Sequence, residues 1–421
     1  MRQGRWQFYS DGRWRTPMHV CVIGAGIVGL ASGYALQQAG YEVSLVERAE
    51  APAMGASGGN GAQLSYAYVQ PLADPGIWAS LPKLLLDKTS PLHMRWQLDP
   101  HQWSWLLQFL GACNAASSRA TTQSLLTLAA QSRVALEATL QREQLNCDFH
   151  TPGKLVLQST QVGLDGAARQ LQLQAQLGGP QQHMVDAAEV ARIEPALQHY
   201  VSQIAGAVYT PSECAIDCRK LCEALLALLR QRGAQVLLGC EVQQFQTQGS
   251  RITGVQTTRG VHQADHFVLA GGWESVPLAR QLGVKRLPVY PLKGYSLTLD
   301  AGTAAEQLPR VSVTDSSRKV VFARIGERLR VAGMVEIVGA DRALHLDRIG
   351  RLREATHQVF PQLDIPDDLQ PWTGMRPATP TGLPITGRMP GGPQNLWLQT
   401  GHGALGLTLA FGSAQDRKSV V

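Results

Sequence analysis

Hydrophobic patterning near the start of the chain is ordered as strand, turn, helix, strand. His19 to Ile23 is a short apolar, β-branched run, Gly24 to Gly29 is a glycine-rich turn, and Leu30 to Ala39 reads as a helix ended by Gly40. Glu42 to Val46 is the second strand, which completes the opening unit of a doubly wound sheet. Residues 78 to 145 carry long helical patterns. From Gly153 onward short strands such as Lys154–Gln158 alternate with helices such as Arg219–Arg230. Gln235–Leu238 and Phe267–Ala270 read as buried parallel strands, so the chain leaves the nucleotide-binding unit and comes back to it. Strand patterns dominate from Leu287 to Glu336 (Val289–Leu299, Val320–Arg324, Leu329–Ala332), which predicts an antiparallel sheet. The fold class is α/β: a Rossmann-like dinucleotide-binding domain with an interleaved α+β substrate domain built on an antiparallel sheet.

Composition narrows the classes. A chain of 421 residues, 44% hydrophobic and 17% charged, can bury a large core in two interleaved domains. The net charge is +6, but no basic run exceeds two consecutive residues, which argues against a nucleic-acid partner and leaves a mild field suited to anionic substrates or an anionic membrane surface. Seven cysteines at irregular spacings, with no signal peptide before the first strand, fit a reducing cytoplasm without disulfides. Cys214, Cys218 and Cys222 recur every four residues, as on one helix face. With no neighbouring His and with Asp217 reading as an N-cap, no metal site is expected there. No apolar run approaches the roughly 18 residues of a membrane span. Trp78, Trp96, Trp103 and Trp105 crowd together as core, or alternatively as a membrane or partner face. Residues 1–17 lack periodicity and Met18 directly precedes the first strand, so Met18 is the expected natural start. Residues 416–421, DRKSVV, interrupt a helix without a cap and are expected to be an assembly artefact; both ends are expected to be non-native or disordered.

Three glycine-rich loops carry the candidate chemistry. Gly24-Ala25-Gly26-Ile27-Val28-Gly29 fits the dinucleotide fingerprint between a strand and a helix, and Glu47, 47 − 24 = 23 positions on, can accept hydrogen bonds from the adenosine ribose. This fingerprint alone does not separate FAD from NAD. The loop from Ala56 through Ser57 and Asn60 to Gly61 supplies small residues and backbone donors for a longer cofactor, and Gly401–Gly406, including Gly403, aims a helix start at the flavin pyrimidine edge. FAD is therefore the expected cofactor. Hydride transfer to a flavin depends on orienting the substrate Cα–H. Arg376, within Gly374–Pro377, offers a planar fork for a carboxylate, with a structural ion pair as the alternative. Tyr290 and Tyr295, five residues apart on a strand, face opposite ways; Tyr295 is expected to present its hydroxyl to the substrate carboxylate, with core packing as the alternative. His402 is expected to matter through its backbone.

The chain resembles the D-amino-acid oxidase-like FAD-dependent oxidoreductases, and within them the D-amino-acid dehydrogenase small subunits. The stretches that carry the resemblance are VIGAGIVGLASGYALQQAGYEV, PVYPLKGYSLTL, VAGMVEIVG, WTGMRPATPTGLPITG and NLWLQTGHGALGLTLAFGS, from about Met18 to Ser413. Leu407 and Phe411 depart from it, standing where Trp and Cys are expected, and the family's tail beyond Gln415 is missing. The resemblance implies oxidation of D-amino acids such as D-alanine to 2-oxo acids and ammonia, with electrons passed to a respiratory quinone or other electron-transport acceptor. The implied location is cytoplasmic, with peripheral attachment to the inner face of a bacterial inner membrane. It places the carboxylate clamp at Arg376, and FAD contacts at Ile23, Gly24, Ala25, Gly26, Ile27, Val28, Gly29, Glu47, Arg48, Ser57, Asn60, Gly61, Val242, Gly271, Gly403 and Gly406. The expected division is FAD-binding 18–85, helical and substrate-domain segment 86–200, FAD-binding return 201–286, substrate domain 287–370, and C-terminal FAD-binding part 371–415. Alternatives are a glycine- or sarcosine-type amine oxidase using oxygen, and a non-catalytic FAD-binding subunit of a complex.

Overall fold

A computed structural model describes residues 18–69, 71–78, 92–300, 302–389 and 391–415, with the paired dipeptides Gln7–Phe8 and Trp14–Arg15. The expectations for the rest of 1–17, for 416–421 and for the helical pattern over 79–91 lie outside the described residues.

The chain opens with β1 (His19–Ile23), α1 (Ile27–Gln38) and β2 (Glu42–Val46). All of β1 is buried, as a strand covered on both faces must be. Helices α2 (Pro100–Ala112) and α3 (Ala115–Glu143) follow, N-capped by the Asp99 and Asn114 side chains. Next come β3 (Lys154–Gln158), β4 (Gly206–Thr210), α4 (Cys218–Gln231), β5 (Gln235–Leu237) and β6 (His266–Leu269). The chain continues with β7 (Tyr290–Asp300), β8 (Ser312–Asp315), β9 (Val320–Ile325), β10 (Arg328–Ile337) and α5 (Leu346–Val359). It ends in β11 (Trp372–Ala378), β12 (Ile385–Arg388), β13 (Leu396–Thr400) and α6 (Gly406–Gln415).

Two sheets organise these elements. The first has the order β5-β2-β1-β6-β13-β12, parallel except for β12, and carries α1 against one face. The second runs β11-β7-β10-β9-β8-β3-β4 and on to His183–Val185, with Leu92–Met94 paired beside β10. One face of this second sheet packs on α5 through Tyr295, Leu297, Phe322 and Val331 against Ile349, Leu352 and Val359. The other face is turned toward the loop that leaves β2, with Val321 against Gly61 and Trp372 against Gly59.

Two of the expected boundaries move. Gly206–Thr210 pairs with Lys154–Gln158 and Trp372–Ala378 pairs with Tyr290–Ser296, so both strands belong to the second sheet and not to the FAD-binding parts beginning at 201 and 371. Helix α3, expected in a substrate-domain segment, packs on α6 and α1 instead. Ladder partners lie far apart in sequence, and patterning within each strand does not name them. Cys214 sits in a short strand, so it does not share a helix face with Cys218 and Cys222.

Asp217 caps α4, accepting from the Arg219 and Lys220 amides at 2.9 and 3.2 Å, and it also accepts from Arg328 of the second sheet at 2.6 Å. Burial pushes its carboxyl up, but the amide of Lys220 and the Arg328 guanidinium outweigh this and hold it below the usual range. Asp217→Ala is expected to lower unfolding free energy by about 1–2 kcal/mol at pH 7, measured by urea titration. Because the folded carboxyl titrates lower than the unfolded one, this difference should be complete above the ordinary carboxylate range and shrink as pH falls below about 4.

Candidate active site

The dinucleotide end of the site is built at the carboxyl edge of β1 and β2. Ile23 ends β1, and Gly24 turns the chain with φ +112°, where a Cβ would lie 2.7 Å from the Ala270 carbonyl oxygen; this packs Gly24 against Gly271. Gly26 occupies the N-cap of α1 and brings no capping side chain of its own, and Ile27, Val28 and Gly29 form the first turn. Glu47, just past β2, accepts from the Ala25 amide at 2.7 Å and the Ala49 amide at 2.9 Å. It stays half-exposed, with lone pairs left for a ribose hydroxyl. Arg48 pairs with Glu274 at 2.5 Å, beside the Gly271–Gly272 turn. Val242 follows Cys240, whose amide donates to the Glu47 carbonyl, so Val242 borders the same edge.

The second loop, from Ala53 to Ala62, folds over the start of α1. Ser57 Oγ accepts from the Ile27 amide at 3.0 Å. Asn60 is spent on the loop itself: its Nδ2 donates to the Ser57 carbonyl at 3.0 Å and its Oδ1 accepts from the Ala62 amide at 2.8 Å. Gly61 lies against Val321 of β9, and a Cβ there would meet it at 2.8 Å. The Trp372 ring occupies the space a Cβ on Gly59 or on Gly374 would take, each at 2.0 Å. Arg330 of β10 completes the contact, donating from Nη1 to the Asn60 and Gly58 carbonyls at 2.8 and 3.3 Å and from Nε to Thr298 Oγ1 at 2.9 Å. The backbone of the loop is thereby held by the second sheet.

On that same face stands Arg376. Register fixes its orientation: Arg376 pairs with Leu292, and Gly374 with Gly294, so these side-chain positions share a face with Trp372 and Arg330. Gly294 makes room, since a Cβ there would meet the Arg376 Nη2 at 2.4 Å. The guanidinium donates from Nη1 to the Met334 carbonyl at 2.9 Å, and no carboxylate pairs with it among the described residues. It keeps some solvent accessibility, yet desolvation lowers it to about 10, as befits a side chain lining an interior cleft. Tyr68 has the same character, and Lys154 lies over its ring at 4.5 Å while donating to Ser65 Oγ at 2.8 Å; burial lowers the lysine to about 8.

Tyr295 is corrected. It pairs with Thr373, on the face opposite Arg376, where it is fully buried under α5 and its hydroxyl donates to Glu336 at 2.5 Å. It is Tyr290 that shares Arg376's face, packed beneath α2 against Trp105. Alternation had placed the two tyrosines on opposite faces but could not say which face the cleft would take. At the third loop, Gly403 has φ +55° and begins a tight turn that leads at Gly406 into α6. A bridge between His402 and Ala378 ties this turn to β11. His402 is buried and burial lowers it to about 4, so the ring is neutral; Nε2 contacts Ser413 Oγ at 3.0 Å and Nδ1 has no partner among the described residues.

Three loops thus meet near the face of the second sheet that bears Arg376: the start of α1, whose Ile27 amide is met by Ser57 Oγ, the loop held by Arg330, and the turn at His402, whose Nδ1 has no partner among the described residues. These features fit FAD: Glu47 would hold the ribose, the start of α1 the pyrophosphate, and the loops at Ser57 and Gly403 the flavin. A nucleotide-binding sheet with a second sheet facing the loop after β2 is the architecture of a flavoprotein. The match to the family model of FAD-dependent oxidoreductases runs over residues 19–416, and the chain belongs to that family. It is 45% identical over 399 residues to D-amino acid dehydrogenase 2 of Pseudomonas aeruginosa, covering 94% of this chain and 93% of that protein. D-amino acid dehydrogenase 2 of Ralstonia nicotianae is 42% identical, with 94% and 95% covered. Among solved structures, glycine oxidase from Geobacillus kaustophilus superposes with a TM-score of 0.74 at 20% identity, covering 96% of this chain and 94% of that one, a likeness of fold. L-proline dehydrogenase from P. horikoshii gives 0.72 at 17% identity, covering 95% and 91%.

Arg330, Trp372, Lys154 and Glu336 went unread in the sequence. Arg330 and Glu336 had a signal available: each is a charge inside an otherwise apolar strand, and a buried charge asks for a partner. Glu47→Ala is expected to weaken FAD retention about 10- to 100-fold, the range for charge-assisted hydrogen bonds, measured as flavin absorbance remaining after dialysis.

Proposed function

We propose that this chain oxidises D-amino acids, D-alanine among them, and passes the electrons to a quinone or another electron-transport acceptor. Arg376 carries the reading. A partly buried guanidinium whose partner among the described residues is one carbonyl retains donors for a bidentate anion, and a planar carboxylate matches them. With FAD bound, the flavin supplies the acceptor for the hydride leaving Cα. The chain's part is positional: Arg376 holds the carboxylate, the face bearing Trp372 and Gly294 shapes the cleft wall, and the enclosed surroundings keep the charges effective. The substrate amine, bound neutral, loses Cα–H as hydride while the nitrogen lone pair forms the C=N bond. Loss of an N–H proton and attack by water then yield the 2-oxo acid and ammonia. No side-chain base, His402 included, is required, because an amine bound neutral supplies its own lone pair. The D series is supported by the relatives named D-amino acid dehydrogenase.

Peripheral docking on an anionic lipid surface accompanies this reading. No helix among the described residues is long and apolar enough to cross a membrane. Trp96 and Trp103 stack at 5.1 Å on the surface, 55% and 44% exposed, beside the fully exposed Leu98 and Leu107 at 69%. Exposed indoles beside aliphatic side chains suit the headgroup boundary, and the net charge of +6 favours anionic lipid.

Two experiments test these statements. Anaerobic addition of D-alanine, but not L-alanine, should bleach the flavin, and Arg376→Met should lower kcat/KM for D-alanine by about 10³, roughly 4 kcal/mol, while FAD stays bound. Wild-type bleaching by the variant would defeat the carboxylate reading, and rapid reoxidation by air would replace the quinone with oxygen. The pair Trp96→Ala and Leu98→Ala should reduce co-sedimentation with anionic vesicles severalfold, with dye-linked activity unchanged; unchanged co-sedimentation would discard this face.

A further inference from the structure

Behind Arg376, on the far side of the second sheet, lies a buried ionic cluster centred on Glu336. Its Oε2 accepts from the Tyr295 hydroxyl at 2.5 Å and lies 4.0 Å from Lys293 Nζ, and its Oε1 meets Arg348 Nε of α5 at 2.9 Å. Lys293 and Glu336 are themselves ladder partners, and Lys293 also donates to the Ala343 carbonyl. All four side chains are buried. Burial followed by the Glu336 carboxylate pushes the Tyr295 phenol up, so it is a neutral donor.

The cluster brackets an irregularity in the sheet. Lys293 pairs with Glu336 and Tyr295 with Gly333, so one residue of β7, Gly294, faces two of β10, Met334 and Val335. Met334 takes up the extra length with φ +62°, a left-handed conformation uncommon for a side-chain-bearing residue in a strand. The Met334 carbonyl accepts from Arg376, and Gly294, opposite the bulge, is the residue whose missing Cβ admits the guanidinium. Both flanking ladder pairs are thus tied together from behind: Lys293 and Glu336 directly, and Tyr295 to Glu336 across the bulge.

We infer that Tyr295 and Glu336 are positioning residues for substrate carboxylate binding: their hydrogen bond pins the Met334 bulge and so holds Arg376 in its forked orientation. An unbulged β10 would pair without the extra residue and remove the carbonyl that steers the guanidinium. A phenol–carboxylate bond is directional and, enclosed in the sheet, resists slippage where apolar packing alone would permit it. The inference rests on the reading of Arg376 as the carboxylate clamp.

The test is a double-variant cycle on FAD-loaded protein. Tyr295→Phe should raise the KM for D-alanine about tenfold and leave kcat within twofold. It should weaken by a similar factor the binding of propionate, which keeps the carboxylate and lacks the amine, as followed by its perturbation of the flavin spectrum. In an Arg376→Met background the same substitution should change neither value by more than about twofold. Effects of Tyr295→Phe that multiply fully with those of Arg376→Met, or an unchanged KM in the Tyr295→Phe single variant, would overturn the coupling. If Arg376→Met itself leaves propionate binding intact, it is the clamp reading that fails. Glu336→Gln, which retains an acceptor for Tyr295 and removes the charge, provides a second entry into the cycle; it should fall between wild type and Tyr295→Phe in KM, and a kcat loss without a KM change would contradict the inference.

Discussion

A partly buried guanidinium without a carboxylate partner among the described residues is the constraint around which the second sheet is arranged. A desolvated charge is disfavoured unless something completes its coordination, and among the described residues Arg376 donates to the Met334 carbonyl. The strand bulge at Met334, the glycine at 294 and the ionic cluster behind them are all consistent with keeping this group in place.

The same face bears a second buried cation with a different duty. Arg330 is satisfied by backbone carbonyls of the loop after β2, so it fastens the cofactor loop to the sheet and leaves no donor set free for substrate of the kind Arg376 retains. The two arginines differ in what they meet: Arg330, the more deeply buried, bonds to the loop after β2 and ties it to the second sheet, whereas Arg376 donates to the Met334 carbonyl of its own sheet. Desolvation lowers both, which marks depth and does not by itself distinguish the roles.

Much of the architecture was readable from local pattern because the relevant physics is local. β1 and β2 match their predicted spans, and α1 lies where the glycines at 24, 26 and 29 and the stop at Gly40 require it, since turn geometry and close packing at a helix start restrict nearby residues. The strands at 235, 266, 290, 320 and 328 were likewise visible from their apolar, β-branched content. Allocation to sheets was not readable: Gly206–Thr210 and Trp372–Ala378 join the second sheet through ladder partners that sequence spacing does not encode.

The site divides in the same way. By itself the sequence determined the nucleotide-binding turn, the acidic residue that serves it, and a candidate arginine in Gly374–Pro377, because each depends on residue type within a short span. Only the tertiary structure decided which tyrosine faces the cleft, because period-two alternation assigns residues to two faces without naming the one that meets the cofactor domain. Only it revealed the bulge at Met334, since an extra residue in one strand is defined by the register of its neighbour. And only it showed that Arg376 has no acid partner among the described residues, a property of everything around the side chain and of nothing within its own segment.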